Sequence, residues 1–261
     1  MNELAKRTFF GLLYSLTVIL ALQTYSWTVV LLGIFMLIGL REFSALVDLH
    51  YKTVLLPALF LYMTSFLYHY QATLDIKVIK IAGAFGLLVL FIPFIYFIFD
   101  RISLSMLARL YLAIFYLALP FSLALGIDSK LLLSIFFIIW ASDSFAYLTG
   151  KNFGKHKLAE KISPKKTIEG VVGGLAGGLI IAYLIYRYSG WELMLKLPQF
   201  LILTLIIVIF GTLGDLLESR FKRLAKVKDS GNVIPGHGGI LDRLDSFIFA
   251  VPFVYVFLLI I

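Results

Sequence analysis

The stretch QFLILTLIIVIFGTLGDLL, residues 199–217, decides the class of this chain. It carries no charge before Asp215. As a helix rising 1.5 Å per residue it covers roughly the 30 Å of a bilayer's hydrocarbon core. Working outward, comparable apolar runs occupy residues 8–25, 26–46, 53–70, 78–99, 106–126, 131–149, 170–188 and 245–261. The expected fold is therefore all-α, a polytopic integral membrane protein with about nine transmembrane helices. Only a polar patch from Gln23 to Ser26 links the first two runs. They form either a tight hairpin or a pair in which one member is re-entrant, leaving eight full spans.

Composition supports this class. Of 261 residues 61% are hydrophobic and 15% are charged. A soluble domain is about one quarter charged, so the charge needed to cover a water-facing surface is missing. The absence of cysteine excludes disulfides and thiolate metal sites. The net charge is +8, but the basic residues lie between apolar spans, which argues against nucleic acid as a partner. Lys6 and Arg7 before an apolar run fit a signal peptide, yet no small-residue cleavage site follows, so the first helix is expected to be retained.

Charge also orients the spans. With nine spans and a cytoplasmic N-terminus, 18 of the 23 Lys and Arg fall on the cytoplasmic side. Lys77, Lys80, Lys130, Arg187 and Lys196 fall on the other. Two long basic loops, 150–170 and 218–244, then share the cytoplasmic face. Residues 1–130 read as N-terminal and middle membrane helices, and 131–261 as a catalytic membrane region bearing those loops. In the first part Arg41-Glu42 and Asp100-Arg101 fit interfacial anchoring or local pairing, and Pro57, Pro93 and Pro120 bend or break helices. Tyr25, Trp27 and Trp191 suit the interfacial aromatic belt. Gly173, Gly174, Gly177 and Gly178 recur at four-residue spacing, which allows close helix packing or a substrate-facing surface.

The acidic residues stand where apolar residues would be cheaper. Asp143 interrupts the run from Ser134 to Leu148, and an ionised carboxylate in a span by default faces a bundle interior or a cavity. Asp215 ends the eighth run, with Glu218 and Ser219 three and four residues later on the same helix face. Asp242 and Asp245 repeat the three-residue step before the ninth run. Four carboxylates thus bracket one basic loop. They suit Mg²⁺, which takes a few carboxylates, keeps waters and is completed by substrate phosphates. Simple pairing with nearby Lys and Arg is the plainer alternative.

Between these acids lie Lys222, Arg223, Lys226, Lys228 and Arg243, and the turn Pro235-Gly236-His237-Gly238-Gly239. The cations can neutralise phosphate oxygens, Arg in a bidentate grip and Lys as a point charge. The glycines let backbone approach a ligand, and free N–H groups there can cradle phosphate. A membrane-surface patch needs the charge but has no use for the turn. His237 could donate to a phosphate, orient an aspartate or cap the loop. The 150–170 segment, with Lys165 and Lys166, has the charge for a nucleotide triphosphate or a lipid phosphate. Gly150-x-x-x-Gly154-Lys155 fails the P-loop pattern, because no Ser or Thr follows the lysine.

The run from Ser219 through Phe221-Lys222-Arg223, Lys228-Asp229, Gly231 and Pro235–Gly239 to Asp242-Arg243-x-Asp245 resembles the phosphatidate cytidylyltransferases, or CDP-diacylglycerol synthases. Trp140-x-x-Asp143, Ser163-Pro164-Lys165-Lys166-Thr167-x-Glu169-Gly170 and Gly214-Asp215 extend the resemblance over roughly 140–245. It implies transfer of CMP from CTP to phosphatidate, giving CDP-diacylglycerol and pyrophosphate in phospholipid biosynthesis. It further implies Mg²⁺ dependence, stimulation by K⁺, a homodimer in a bacterial-type inner membrane, and a site open to the cytoplasm. Asp215 and Asp242 correspond to the metal-coordinating aspartates, with Asp245 close by. Lys222, Arg223, Lys226, Lys228, His237 and Arg243 are the expected catalytic groups, and Asp143, Lys165, Lys166, Gly236, Gly238 and Gly239 the expected binding groups.

Two other classes compete. An ion-coupled transporter explains Asp143 and the many spans but not the basic loop between paired aspartates. A CTP-dependent polyprenol or phytol kinase uses the same ingredients and differs in product, releasing CDP rather than pyrophosphate.

Overall fold

The structure, a computed structural model, describes residues 3–70, 76–189 and 195–261. Trp191 lies outside them. The chain divides into two compact units: Met1–Asp128 with Asp229–Leu241, and Ser129–Lys228 with Asp242–Ile261. The segment 229–241, lying in sequence within the expected catalytic region, thus belongs to the first unit.

The first unit contains α1 (Glu3–Ala21), α2 (Tyr25–Leu46), α3 (Tyr51–His69), α4 (Ile76–Ile98), α5 (Leu104–Ala113) and α6 (Leu119–Ala124). Its core gathers Leu32, Met36, Leu40 and Phe43 of α2 with Val54 and Ala58 of α3 and Leu117 and Phe121 near α6. Two polar groups of α3 find backbone acceptors on neighbouring helices, which hydrocarbon favours. Tyr62 donates to the Val29 carbonyl at 2.6 Å, and Ser65 to that of Ser122 at 2.6 Å. Helices α5 and α6 are continuous through a π-helical turn, Ile114–Ala118. Pro120 accounts for it. Proline lacks an N–H and its ring crowds the carbonyl four residues back, so the Leu119 N–H donates five residues back, to Ile114. Pro120 therefore widens the helix without ending it.

Asp100 does not act through an ion pair with its neighbour. It takes φ 54° just past α4, with Arg101 N donating to Tyr96 O at 2.9 Å, the geometry of a left-handed helix stop.

The second unit contains α7 (Ser129–Phe153), a hairpin of β1 (Lys157–Ala159) and β2 (Ser163–Thr167), α8 (Ile168–Tyr188), α9 (Leu197–Leu224) and α10 (Leu241–Ile260). The glycines of α8 serve close packing: a Cβ at Gly173 would meet Thr149, one at Gly174 would meet Ser142, and one at Gly177 would meet Phe145. Phe136 of α7 stacks on Phe247 of α10 at 4.7 Å.

Two expected loops are shorter than their charge suggests. Most of 150–170 is ordered as the end of α7, the antiparallel hairpin and the first turn of α8, so the fold is all-α apart from this hairpin. Likewise α9 runs on to Leu224, which makes Glu218, Lys222 and Arg223 helical.

A helix covers each of the nine apolar stretches. Among the described residues six are long and apolar enough to cross a membrane: Tyr25–Leu46, Leu104–Ala124, Ser129–Phe153, Ile168–Tyr188, Leu197–Leu224 and Leu241–Ile260. The chain is an α-helical membrane protein.

Candidate active site

The chemistry of the second unit starts from two glycines. Gly211 and Gly214 of α9 face α10, where a Cβ on Gly211 would touch Ser246 and one on Gly214 would collide with the Asp245 carbonyl and Phe249. The two backbones therefore approach closely, and Asp215 of α9 comes beside Asp245 of α10. The helical three-residue step adds Glu218, and carboxylate oxygens of Asp215, Glu218 and Asp245 all lie within 4.8 Å of one another.

Asp242 stands one step away. Its Oδ1 is 2.6 Å from Lys222 Nζ, which is also 2.5 Å from Glu218 Oε2. Glu218 is fully buried and the Lys222 side chain is 13% exposed. A buried carboxylate needs such a partner, because taking an unpaired ion out of water costs several kcal/mol, as an order of magnitude. Lys222 is thus held between two acids. On the other flank Lys166 of β2 forms an ion pair with Asp215 Oδ2, and Ser219 Oγ donates to Asp215 Oδ1 at 3.3 Å.

Beside this cluster opens a cavity of about 480 Å³ lined by Asp143, Lys151, Lys157, Lys165, Lys166 and Asp215. Its floor includes Gly150, Gly170 and Gly174, where α7 and α8 nearly touch. Glu169 fixes the base of the hairpin, accepting from Lys155 N at 3.1 Å, His156 N at 3.2 Å and His156 Nδ1 at 2.6 Å. Thr167 caps α8 by accepting from Gly170 N. These bonds aim Lys157, Lys165 and Lys166 at the cavity that Asp143 and Asp215 line from the helices. The arrangement sets lysine and carboxylate groups around one cavity, chemistry suited to a ligand that brings phosphate and divalent metal together.

The remaining expected residues take varied places. Arg223 Nε donates to the Ile162 carbonyl at the hairpin turn, at 3.4 Å. Lys226 ends α9 with φ 57°, its N–H on Arg223 O and that of Val227 on Lys222 O. Lys226, Lys228 and Arg243 are exposed.

Gly236, His237, Gly238 and Gly239 belong to the first unit. Gly236 and Gly238 have φ 78° and 88°, which only glycine adopts easily, and an Ile234–Gly238 bridge closes the turn. His237 packs against Gly11 of α1, and the Arg7 side chain lies beside Gly236.

Sequence reasoning missed Glu42. Read from the sequence as an interfacial anchor or a local partner of Arg41, it is instead 6% exposed and bonded to segment 230–241. No local signal distinguishes it, since its partners lie far along the chain.

A divalent cation fits the donor set. All three clustered groups offer hard carboxylate oxygens, the donor type that magnesium takes, and they lie within 4.8 Å of one another. The ammonium groups of Lys166 and Lys222 already rest on two of them.

Comparison with known proteins agrees with this chemistry. The chain is 43% identical over 167 residues to the phosphatidate cytidylyltransferase of Bacillus subtilis, covering 61% of this chain and 59% of that protein. It is 50% identical over 125 residues to the one from Haemophilus influenzae (47% and 43% covered), and 48% identical over 128 residues to the one from Staphylococcus saprophyticus (49% and 48%). These matches span about half the length of each relative. The sequence model of the Cytidylyltransferase family is broader, matching residues 5–261 and so taking in both the carboxylate cluster and the glycine turn. On that match the chain belongs to the cytidylyltransferase family.

Proposed function

We propose that this protein transfers CMP from CTP to phosphatidate, forming CDP-diacylglycerol and pyrophosphate. The observation that carries the reading is the meeting of three carboxylates with a lysine-lined cavity, Lys166 belonging to both. The relatives supply the substrate pair, being named phosphatidate cytidylyltransferases.

Phosphatidate brings an anionic oxygen, so the reaction needs no strong base. That oxygen attacks the α-phosphorus of CTP, a new P–O bond forms, and the bond to the β-phosphate breaks with pyrophosphate leaving. The obstacle is repulsion between two polyanions. Lys157, Lys165 and Lys166 hold phosphate oxygens and offset that charge where it grows in the transition state. Gly236, Gly238 and Gly239 bring backbone N–H groups to phosphate, and Arg223, Lys226, Lys228 and Arg243 add positive charge around the substrates. His237 orients that turn. Asp143 binds the substrate side of the cavity. Lys222 orders Glu218 and Asp242.

Asp215, Glu218 and Asp245 would hold Mg²⁺, with Asp242 supporting them through Lys222. A bound divalent cation there would neutralise phosphate charge and favour departure of pyrophosphate. K⁺ is proposed as an activating ion, and a homodimer as the assembly. All nine helices are proposed as spans, with the N-terminus and both basic segments in the cytoplasm, where CTP is found.

Purified protein in detergent, given labelled CTP and phosphatidate, tests this. Labelled CDP-diacylglycerol with pyrophosphate is expected. CDP with a newly phosphorylated lipid would replace the reading with a kinase, and solute movement without a lipid nucleotide would replace it with a transporter.

A further inference from the structure

Glu42 is a buried carboxylate that the mechanism above does not use. It sits on α2 and faces inward, 6% exposed. Three donors of one loop converge on it. Ser230 Oγ donates to Oε2 at 3.2 Å, Leu241 N to Oε2 at 2.9 Å, and Ile240 N to Oε1 at 3.1 Å. Gly231 and Gly239 press on the same group, since a Cβ on either would collide with its oxygens.

The donors lie at the two ends of segment 230–241, with the Ile234–Gly238 turn between them. One carboxylate thus closes the loop at its neck. Ile240 and Leu241 close the 229–241 segment of the first unit, and Glu42 gives their buried N–H groups the acceptor that each needs. A residue serving only to anchor α2 at a membrane surface would point its charge to water.

We propose that Glu42 is a positioning residue, holding the 230–241 loop in the shape that presents Gly236–Gly239 to substrate phosphate. This rests on the cytidylyltransferase reading. The chemistry requires acceptors on both oxygens. In Glu42→Gln an amide N–H₂ must face at least one N–H or O–H donor, although size is unchanged. Glu42→Asp keeps both acceptors but draws them back by one carbon.

The test joins hydrogen exchange of the full-length protein in detergent with steady-state kinetics. In Glu42→Gln, exchange across 230–241 should rise by roughly tenfold or more, the size of a lost charged hydrogen bond, while α7, α8 and α9 keep wild-type protection. KM for the substrates should rise with a smaller change in kcat, and Glu42→Asp should recover part of the loss. Gly231→Ala, which crowds the carboxylate from the loop side, should loosen the same segment. Arg41→Gln should do neither. Unchanged exchange in 230–241 would overturn the proposal. So would faster exchange with wild-type kinetics, or global loosening in Glu42→Gln, Glu42→Asp and Gly231→Ala alike, which would mark a purely structural residue. If the wild-type protein forms no lipid nucleotide, the functional reading fails by itself, and the exchange result still decides whether Glu42 closes the loop.

Discussion

Lys222 Nζ lies 2.6 Å from Asp242 Oδ1, joining α9 to the start of α10 across the basic segment between them. The same nitrogen neutralises Glu218, which has no exposure to water. Lys222 reads in sequence as one cation in a phosphate-binding run, but its burial gives it an architectural task. Lys222→Met should leave Glu218 as an uncompensated buried charge and cost about 3–5 kcal/mol of stability, read as a lower unfolding midpoint in detergent. Lys222→Met with Glu218→Gln should recover much of that stability without recovering turnover. A single variant as stable as wild type would contradict this role.

Lys166 has the opposite character, partly exposed at the rim of the cavity and paired with Asp215. Lys166→Met should raise KM for CTP by roughly tenfold, the worth of one charged hydrogen bond, with the unfolding midpoint nearly unchanged. Lys77→Met and Lys80→Met, on the face assigned to the outside, should leave KM alone. Equal effects at all three positions would count against the cavity as the nucleotide site.

The glycine seam makes a stability prediction. Gly177→Leu drives a side chain into Phe145, and overpacking of this kind costs about 1–3 kcal/mol. Gly83→Ala meets no atom within 4 Å and should be neutral or slightly stabilising. Thermal unfolding of the two variants in one detergent compares them directly.

These contrasts mark what the sequence could carry. Apolar runs located the helices because hydrocarbon leaves few other structures open to a chain. Asp215 and Asp245 were legible because a carboxylate at a span end is costly without a task. Which acids share a cluster was not legible: three-residue steps put Glu218 with Asp215 and Asp242 with Asp245, but the contact across Gly214 decides that Glu218 joins the three and that Asp242 turns to Lys222. Glu42 was hidden by its neighbour Arg41, which offered an ion pair at no distance, while its true partners begin at Ser230. The hairpin 157–167 was hidden because its strands are short and lysine-rich, and its order comes from Glu169 and Thr167 at its base.

Topology is open to a simple measurement, since the chain has no native cysteine to confuse labelling. Single cysteines at exposed Lys161 and Val233 should both react with an impermeant maleimide only from the cytoplasmic side of oriented vesicles. Reaction from opposite sides would contradict the nine-span arrangement.

The most direct test of the account is pyrophosphate release by Asp215→Asn across a magnesium titration, beside Asp100→Asn. Asparagine keeps the size of Asp215 and removes one charge of the cluster. Asp100 lies at the end of α4 in a left-handed conformation that asparagine also tolerates. Asp215→Asn should keep its fold, lose magnesium-dependent turnover by about 100-fold or more and bind the metal more weakly, while Asp100→Asn should stay near wild type. Near-native turnover and metal affinity in a purified, folded Asp215→Asn protein would contradict it.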